Sequence, residues 1–161
     1  MIATLFVVFA VASSALGFCP FTPFIPSADI GAISGRWYVT QPNLGDSTQN
    51  LTHISMDFTP RVDGNFNLTI SGTNPDGSKK REYWLAERSE YQRQLNIYDF
   101  SKKNPYKVNF NVMVTDNYVG YLNGYFCLIL PTRSFPIYGG NFSRTDPMNG
   151  YKNVELTDLI D

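Results

Sequence analysis

Short segments in which apolar and polar residues alternate recur along this chain, each closed by a turn signal. That rhythm limits the fold more than any other feature. Residues 53–58 (HISMDF) put Ile54, Met56 and Phe58 on one side, and residues 65–70 (NFNLTI) do the same with Phe66, Leu68 and Ile70. Residues 107–114 align Val108, Phe110, Val112 and Val114. A period of two belongs to a half-buried strand. Asp63-Gly64, Asn74-Pro75-Asp76-Gly77, Asp116-Asn117 and Pro131-Thr132 supply the turns between such runs. Further strand segments are predicted at 36–41, 82–87, 94–100, 118–130 and 135–144, which makes eight. On 82–87 the phase is ambiguous: Trp84 or its neighbours Tyr83 and Leu85 face inward. The length, 161 residues, suits one domain. Serial hairpins with one apolar face build an up-and-down barrel or a sandwich, and alternation alone does not choose.

The N-terminus reads differently. Residues 2–18 carry no charge, are too short for a comfortable membrane span and end in small residues. This predicts a signal peptide at 1–17, cleaved after Gly17, leaving 18–161 as one β-barrel or sandwich domain. No second hydrophobic stretch reaches membrane length, so no integral membrane segment is expected in the mature chain. Secretion agrees with three Asn-x-Ser/Thr sequons, at Asn50, Asn67 and Asn141. It agrees also with an even cysteine count. In an oxidising compartment Cys19 and Cys127 should pair, with a gain of about 2–4 kcal/mol. The sequons help to set the faces. Asn67 outward puts Phe66, Leu68 and Ile70 inward, and Asn141 outward puts Tyr138, Phe142 and Arg144 inward. Asn50 is read as lying in the loop before the second strand.

A formal net charge of −1 argues against nucleic acid as a partner. One His and two Cys exclude a Cys/His zinc site with several ligands, and no cofactor is expected. His53, near the start of the second strand, reads as a surface side chain. Lys79-Lys80-Arg81 reads as a solvated loop, and Pro20, Pro23 and Pro26 as stiffeners of an extended arm. Asp57 with Asp63, or Glu82 with Glu87, have no spacing that selects them as acid and base. No Gly-x-Ser-x-Gly and no phosphate-binding glycine loop occurs. An enzyme is not expected.

Three separated patterns carry a resemblance. Cys19-Pro20 and a Pro-rich arm precede Gly35-Arg36-Trp37-Tyr38; Thr115-Asp116-Asn117-Tyr118 precedes Tyr121 and Cys127; and Phe142-Ser143-Arg144-Thr145-Asp146-Pro147 closes the last strand. In this order they resemble the lipocalins, and most closely the branch of apolipoprotein D, insecticyanin and the bilin-binding proteins. Asn117 departs from the usual Thr-Asp-Tyr block, and the second disulfide of that branch is absent. Only residues 151–161 are left for a short C-terminal tail or helix. The resemblance implies an all-β, eight-stranded antiparallel up-and-down barrel closed at one end. It gives the closure to Gly35, Trp37 and Arg144, with the guanidinium over the indole, and has the Cys19–Cys127 disulfide tie the arm to the seventh strand. Inside the cup the expected ligand-binding residues are Val39, Ile54, Met56, Phe58, Phe66, Leu68, Ile70, Leu95, Ile97, Val108, Phe110, Val112, Tyr138 and Phe142. The function it implies is a secreted carrier or sequestering protein for a small hydrophobic ligand: a sterol, retinoid, carotenoid, bilin or fatty acid. The alternative is a secreted effector or structural protein that uses the barrel as a scaffold and binds no ligand. A protein receptor and a homo-oligomer are further partners left open.

Overall fold

A computed structural model describes Cys19 and residues 29–44, 51–99 and 107–147. The signal segment at 1–17, Pro20, Pro23, Pro26, Asn50 and the tail at 151–161 lie outside the described residues. A single 3-10 turn (Ile30–Ile33) leads into eight strands. They are β1 (Gly35–Leu44), β2 (Thr52–Pro60), β3 (Phe66–Thr73), β4 (Lys79–Arg88), β5 (Gln94–Asp99), β6 (Lys107–Thr115), β7 (Tyr121–Ile129) and β8 (Ser134–Ser143).

Each strand pairs antiparallel with the next, and β8 returns to β1 through Val39↔Phe142, so the sheet is a closed barrel. That last pairing removes both free edges and decides for the barrel over the sandwich. The period-two pattern becomes the lumen. Phe58 pairs with Leu68, Leu68 with Trp84, Ala86 with Ile97, and Phe110 with Phe126. The start of β1 and the turns at 61–65, 89–93 and 116–120 gather at one end of the barrel. The turns at 74–78 and 130–133 lie at the other.

Bulges account for two of the strand prolines and for one misaligned residue. Pro42 sits between two register shifts of β1, and Pro136 faces Cys127 at a shift between β7 and β8. Such places tolerate a residue without an N–H. Another shift, between Val112 and Val114, turns Val114 outward, where it is 45% exposed. It therefore does not share the inward face of Val108, Phe110 and Val112.

Two other expectations need correction. The seventh strand starts at Tyr121 rather than at 118, because Asn117 and Tyr118 adopt left-handed backbone (φ 60° and 62°). The Asp116 carboxylate accepts from the Gly120 and Tyr121 N–H groups, and Thr115 Oγ1 accepts from Tyr118 N at 2.8 Å, which holds that turn. Lys79, Lys80 and Arg81 are not a loop. They open β4, paired with Thr73, Gly72 and Ser71. The hairpin is set by the turn before them, with Gly77 at φ 85°, and solvated charge does not interrupt a ladder.

Candidate functional site

At the closed end the lumen is sealed from below. Trp37 is fully buried and its Nε1 donates to the Ile33 carbonyl at 2.7 Å. The Arg144 guanidinium lies 3.9 Å from the indole centroid, a cation–π contact. It also donates to the carbonyls of Ala32 (3.0 Å), Ser34 (2.7 Å) and Tyr118 (3.2 Å), so one side chain joins the 3-10 turn, β1 and the 116–120 turn. Gly35 makes this possible. Its φ is 99°, and a Cβ there would come within 2.9 Å of Arg144 Nη1. Asp29 caps the 3-10 turn by accepting from Gly31 N and pairs with Arg88 at 2.6 Å.

Above the seal the lower barrel is solid. Phe110 stands 6.1 Å from Phe58, 6.1 Å from Phe142 and 4.7 Å from Phe126, and Phe58 meets Phe66 edge-on at 6.1 Å. Gly124 leaves room for this ring cluster, since a Cβ there would sit 2.9 Å from the Phe110 ring. Leu68, Leu95, Val112 and Leu122 fill the remainder.

The mouth half is hollow. A cavity of 290 Å³ opens there, walled by Leu51, Ile54, Met56, Ile70, Ser71, Gly72, Lys80, Glu82, Trp84, Ile97, Val108, Phe126, Ile137 and Tyr138. The structure thus divides the expected ligand-binding set. Ile54, Met56, Ile70, Ile97, Val108 and Tyr138 line the cavity. Phe58, Phe66, Leu68, Leu95, Phe110, Val112 and Phe142 are buried in the packed lower half, and Val39 packs against the edge of that core. Sequence reasoning left out Leu51, Ser71, Gly72, Lys80 and Glu82, and two further wall residues, Phe126 and Ile137. Phe126 was legible in the Leu122–Gly124–Phe126 alternation; Ile137 follows from the β7–β8 bulge and has no local signal. The ambiguous phase of β4 resolves with Glu82, Trp84 and Ala86 inward and Tyr83 61% exposed.

Among the described residues the polar side chains of this cavity are few: Ser71, Lys80, Glu82, Trp84 and Tyr138. Lys80 Nζ and Glu82 Oε1 form an ion pair at 2.9 Å in its wall. Trp84 Nε1 and the Tyr138 hydroxyl are buried without a hydrogen-bond partner. Burial pushes the Tyr138 phenol up from its ordinary pKa. His53 stands exposed beside the mouth with φ 52°, its Nδ1 3.0 Å from Thr52 Oγ1. Among the described residues no cluster of His, Cys, Asp and Glu is arranged to hold a metal ion. No helix among them is long and apolar enough to cross a membrane. On the outer face, a disulfide joins Cys19 to Cys127 of β7, and Cys19 N donates to Ser134 Oγ at 3.2 Å. Asn67 points to solvent; Asn141 is half-buried, with its Oδ1 accepting from Asn123 Nδ2 at 2.7 Å.

No family model and no curated protein sequence matches the chain. Solved structures do. Insecticyanin from the tobacco hornworm Manduca sexta superposes with a TM-score of 0.64 at 18% identity, over 82% of this chain and 71% of that one. The amine-binding protein of Rhodnius prolixus, solved with tryptamine, gives 0.61 at 18% identity, over 89% and 85%. Lipocalin 12 from rat epididymis gives 0.58 at 19%, over 81% and 74%. The chain has the lipocalin fold. Insecticyanin also stands in the branch that the sequence patterns resemble. In lipocalin terms the three patterns are one object in space: Gly35 and Trp37 open β1, the 116–120 turn lies below it, and Arg144 pins them together.

Proposed function

We propose that this chain is a secreted, glycosylated carrier or sequestering protein that holds one small hydrophobic molecule in the mouth half of its barrel. The observation that carries this is the cavity itself. Its apolar wall is continuous with a packed floor, so a ligand entering it leaves water on most sides. Apolar area removed in this way contributes roughly 25 cal/mol per Å². Among the structural neighbours, one was solved with tryptamine, which supports the use of such a cup for a compact molecule. The volume bears on the ligand classes. Ligand sites span about 300–1,000 Å³, and this one is at the low end. Short or compact molecules are therefore favoured over a bilin or carotenoid held whole.

Secretion is supported by the uncharged leader, the Cys19–Cys127 disulfide and the solvent-facing Asn67 sequon. The mature chain is expected to begin at Phe18, which N-terminal sequencing of protein recovered from a secreting host checks. The function is tested by organic extraction of the native protein followed by mass spectrometry. A single apolar compound in stoichiometric amount is expected. An empty barrel in tight complex with another protein would replace the carrier with the scaffold reading.

A further inference from the structure

The outer wall of the barrel faces water, and polar side chains are expected along it. Strand β3 follows this rule with Asn67 and Thr69, but the strands beside it do not. Asn67 pairs with Leu85 of β4, Leu85 with Tyr98 of β5, and Thr69 with Tyr83 of β4. Leu85, Tyr83 and Tyr98 therefore form one patch against the Asn67-Leu68-Thr69 sequon. Directly opposed residues stand about 5 Å apart and diagonal ones about 7–8 Å. Tyr83 is 61% exposed and Tyr98 44%, with Leu85 half-buried beside them. Single exposed apolar residues need no account, but a contiguous patch marks a contact.

An occupant is within reach on the same chain. Asn67 is exposed, and its Oδ1 accepts from Arg61 Nη1 at 2.9 Å. Its Nδ2, the atom that carries the sugar in an N-glycan, has no partner among the described residues. Asn141 offers no such setting: it is half-buried, and its Oδ1 accepts from Asn123. The chemistry of sugar and patch matches. A β-linked N-acetylglucosamine is uncharged, holds its hydroxyls around the ring edge and turns a C–H face toward its neighbour. Tyrosine has a flat apolar ring with a polar tip that stays wet, and it gives contact area at small entropic cost. A sugar face laid on Tyr and Leu removes apolar area from water while the hydroxyls remain in it.

We infer that an N-glycan on Asn67 folds back on the barrel, its innermost N-acetylglucosamines lying over Leu85 and against Tyr83 and Tyr98. The chain's own sugar, and not a second protein, covers this part of the wall. The inference rests on the reading of the chain as a secreted glycoprotein and goes beyond it by naming the surface that holds the glycan.

The test compares the mature chain secreted from a eukaryotic host with its Thr69→Val form, which keeps Asn67 and removes the sequon with little change of shape. Both are treated briefly with tetranitromethane, and nitration of each tyrosine is read by peptide mass spectrometry. Tyr83 and Tyr98 should react several-fold more slowly in the glycosylated chain. Tyr91, 63% exposed on the 89–93 turn at the closed end, should react equally in both. Equal reactivity of Tyr83 and Tyr98 in the two chains would overturn the inference and leave the glycoprotein standing. Protection that appears only as concentration rises, with dimers in sedimentation, would overturn it in favour of a second copy on the same wall. A bare Asn67 in the secreted chain, read from the same peptides, would overturn both the inference and glycosylation at that site. Where the variant does not fold, enzymatic release of the glycans from the folded chain gives the same comparison.

Discussion

The closed half and the mouth half of this barrel are walled by the same eight strands with the same alternation, yet one is filled and the other is hollow. The difference is side-chain volume. Trp37, Phe58, Phe66, Phe110 and Phe142 crowd the closed half, while Ile54, Ile70, Ser71, Gly72, Ile97 and Val108 wall much of the mouth. Eight strands enclose a space that side chains can just fill. Five aromatic rings fill it in the closed half; in the mouth half Trp84, Phe126 and Tyr138 stand among branched aliphatic and small residues and leave it open. The comparison teaches that the pattern of in and out makes the wall, and that residue size along the barrel axis makes the cup. Stability is accordingly expected to reside in the closed half and binding in the mouth half.

The largest test of that division is Trp37→Ala. It removes a fully buried ring, strands the Ile33 carbonyl and takes the cation–π surface from Arg144, whose carbonyl partners remain. A loss of about 3–5 kcal/mol is expected in denaturant unfolding. A loss below half a kcal/mol would mean that the closed end does not depend on its plug.

A sharper comparison uses two neighbours on one strand and one face. Leu68→Ala, in the packed half, should cost about 2–5 kcal/mol, because it opens a void among rings. Ile70→Ala only enlarges a space that exists and should cost about 1 kcal/mol. Equal costs would erase the distinction between the halves.

Among the described residues the mouth half has no internal plug, and it is stapled from outside. Cys127 pairs with Cys19 across a separation of 108 residues. Replacing both by Ser should lower stability by about 2–4 kcal/mol. It should also raise hydrogen exchange first along β7 and β8 near Ser134. Unchanged exchange there would remove the staple from the account.

The smallest effect concerns acid. The Asp116 carboxyl is held below its ordinary pKa, chiefly by the hydrogen bond it accepts from Tyr121 N. A lowered folded pKa means that its support of the 116–120 turn is present above the unfolded value of about 3.9. That support is lost as the pH falls through the lower folded value. Hydrogen exchange at Gly120 and Tyr121 should therefore rise on acidification in that range, and Asp116→Asn should flatten the dependence. An unchanged pH profile in that variant would sever the turn from the carboxylate.

Much of the barrel was legible in the residues. All eight predicted segments overlap observed strands, and the inward sides of β2, β3 and β6 follow the alternation except at Val114. The candidate site was legible only in part. Alternation names inward positions without their height in the lumen, so Leu68 and Ile70 looked equivalent though one is packed and the other lines the cavity. Lys80 was read as part of a solvated loop because charge usually is solvated, and Glu82 was given no place in the lumen. In the ring their even positions turn them with Trp84 toward the mouth.

By itself, the order of residues determined the number of strands, most of their phase, and the three separated patterns that meet at Trp37 and Arg144. Those are local properties: a period of two, a turn dipeptide and a spacing survive without knowledge of any neighbour. Only the tertiary structure decided that β8 closes on β1, that a bulge sends Val114 outward, and that the lumen is open above Phe126 and solid below it. These outcomes depend on the summed volume of side chains arriving from eight strands at one level of the barrel. No single segment carries that sum.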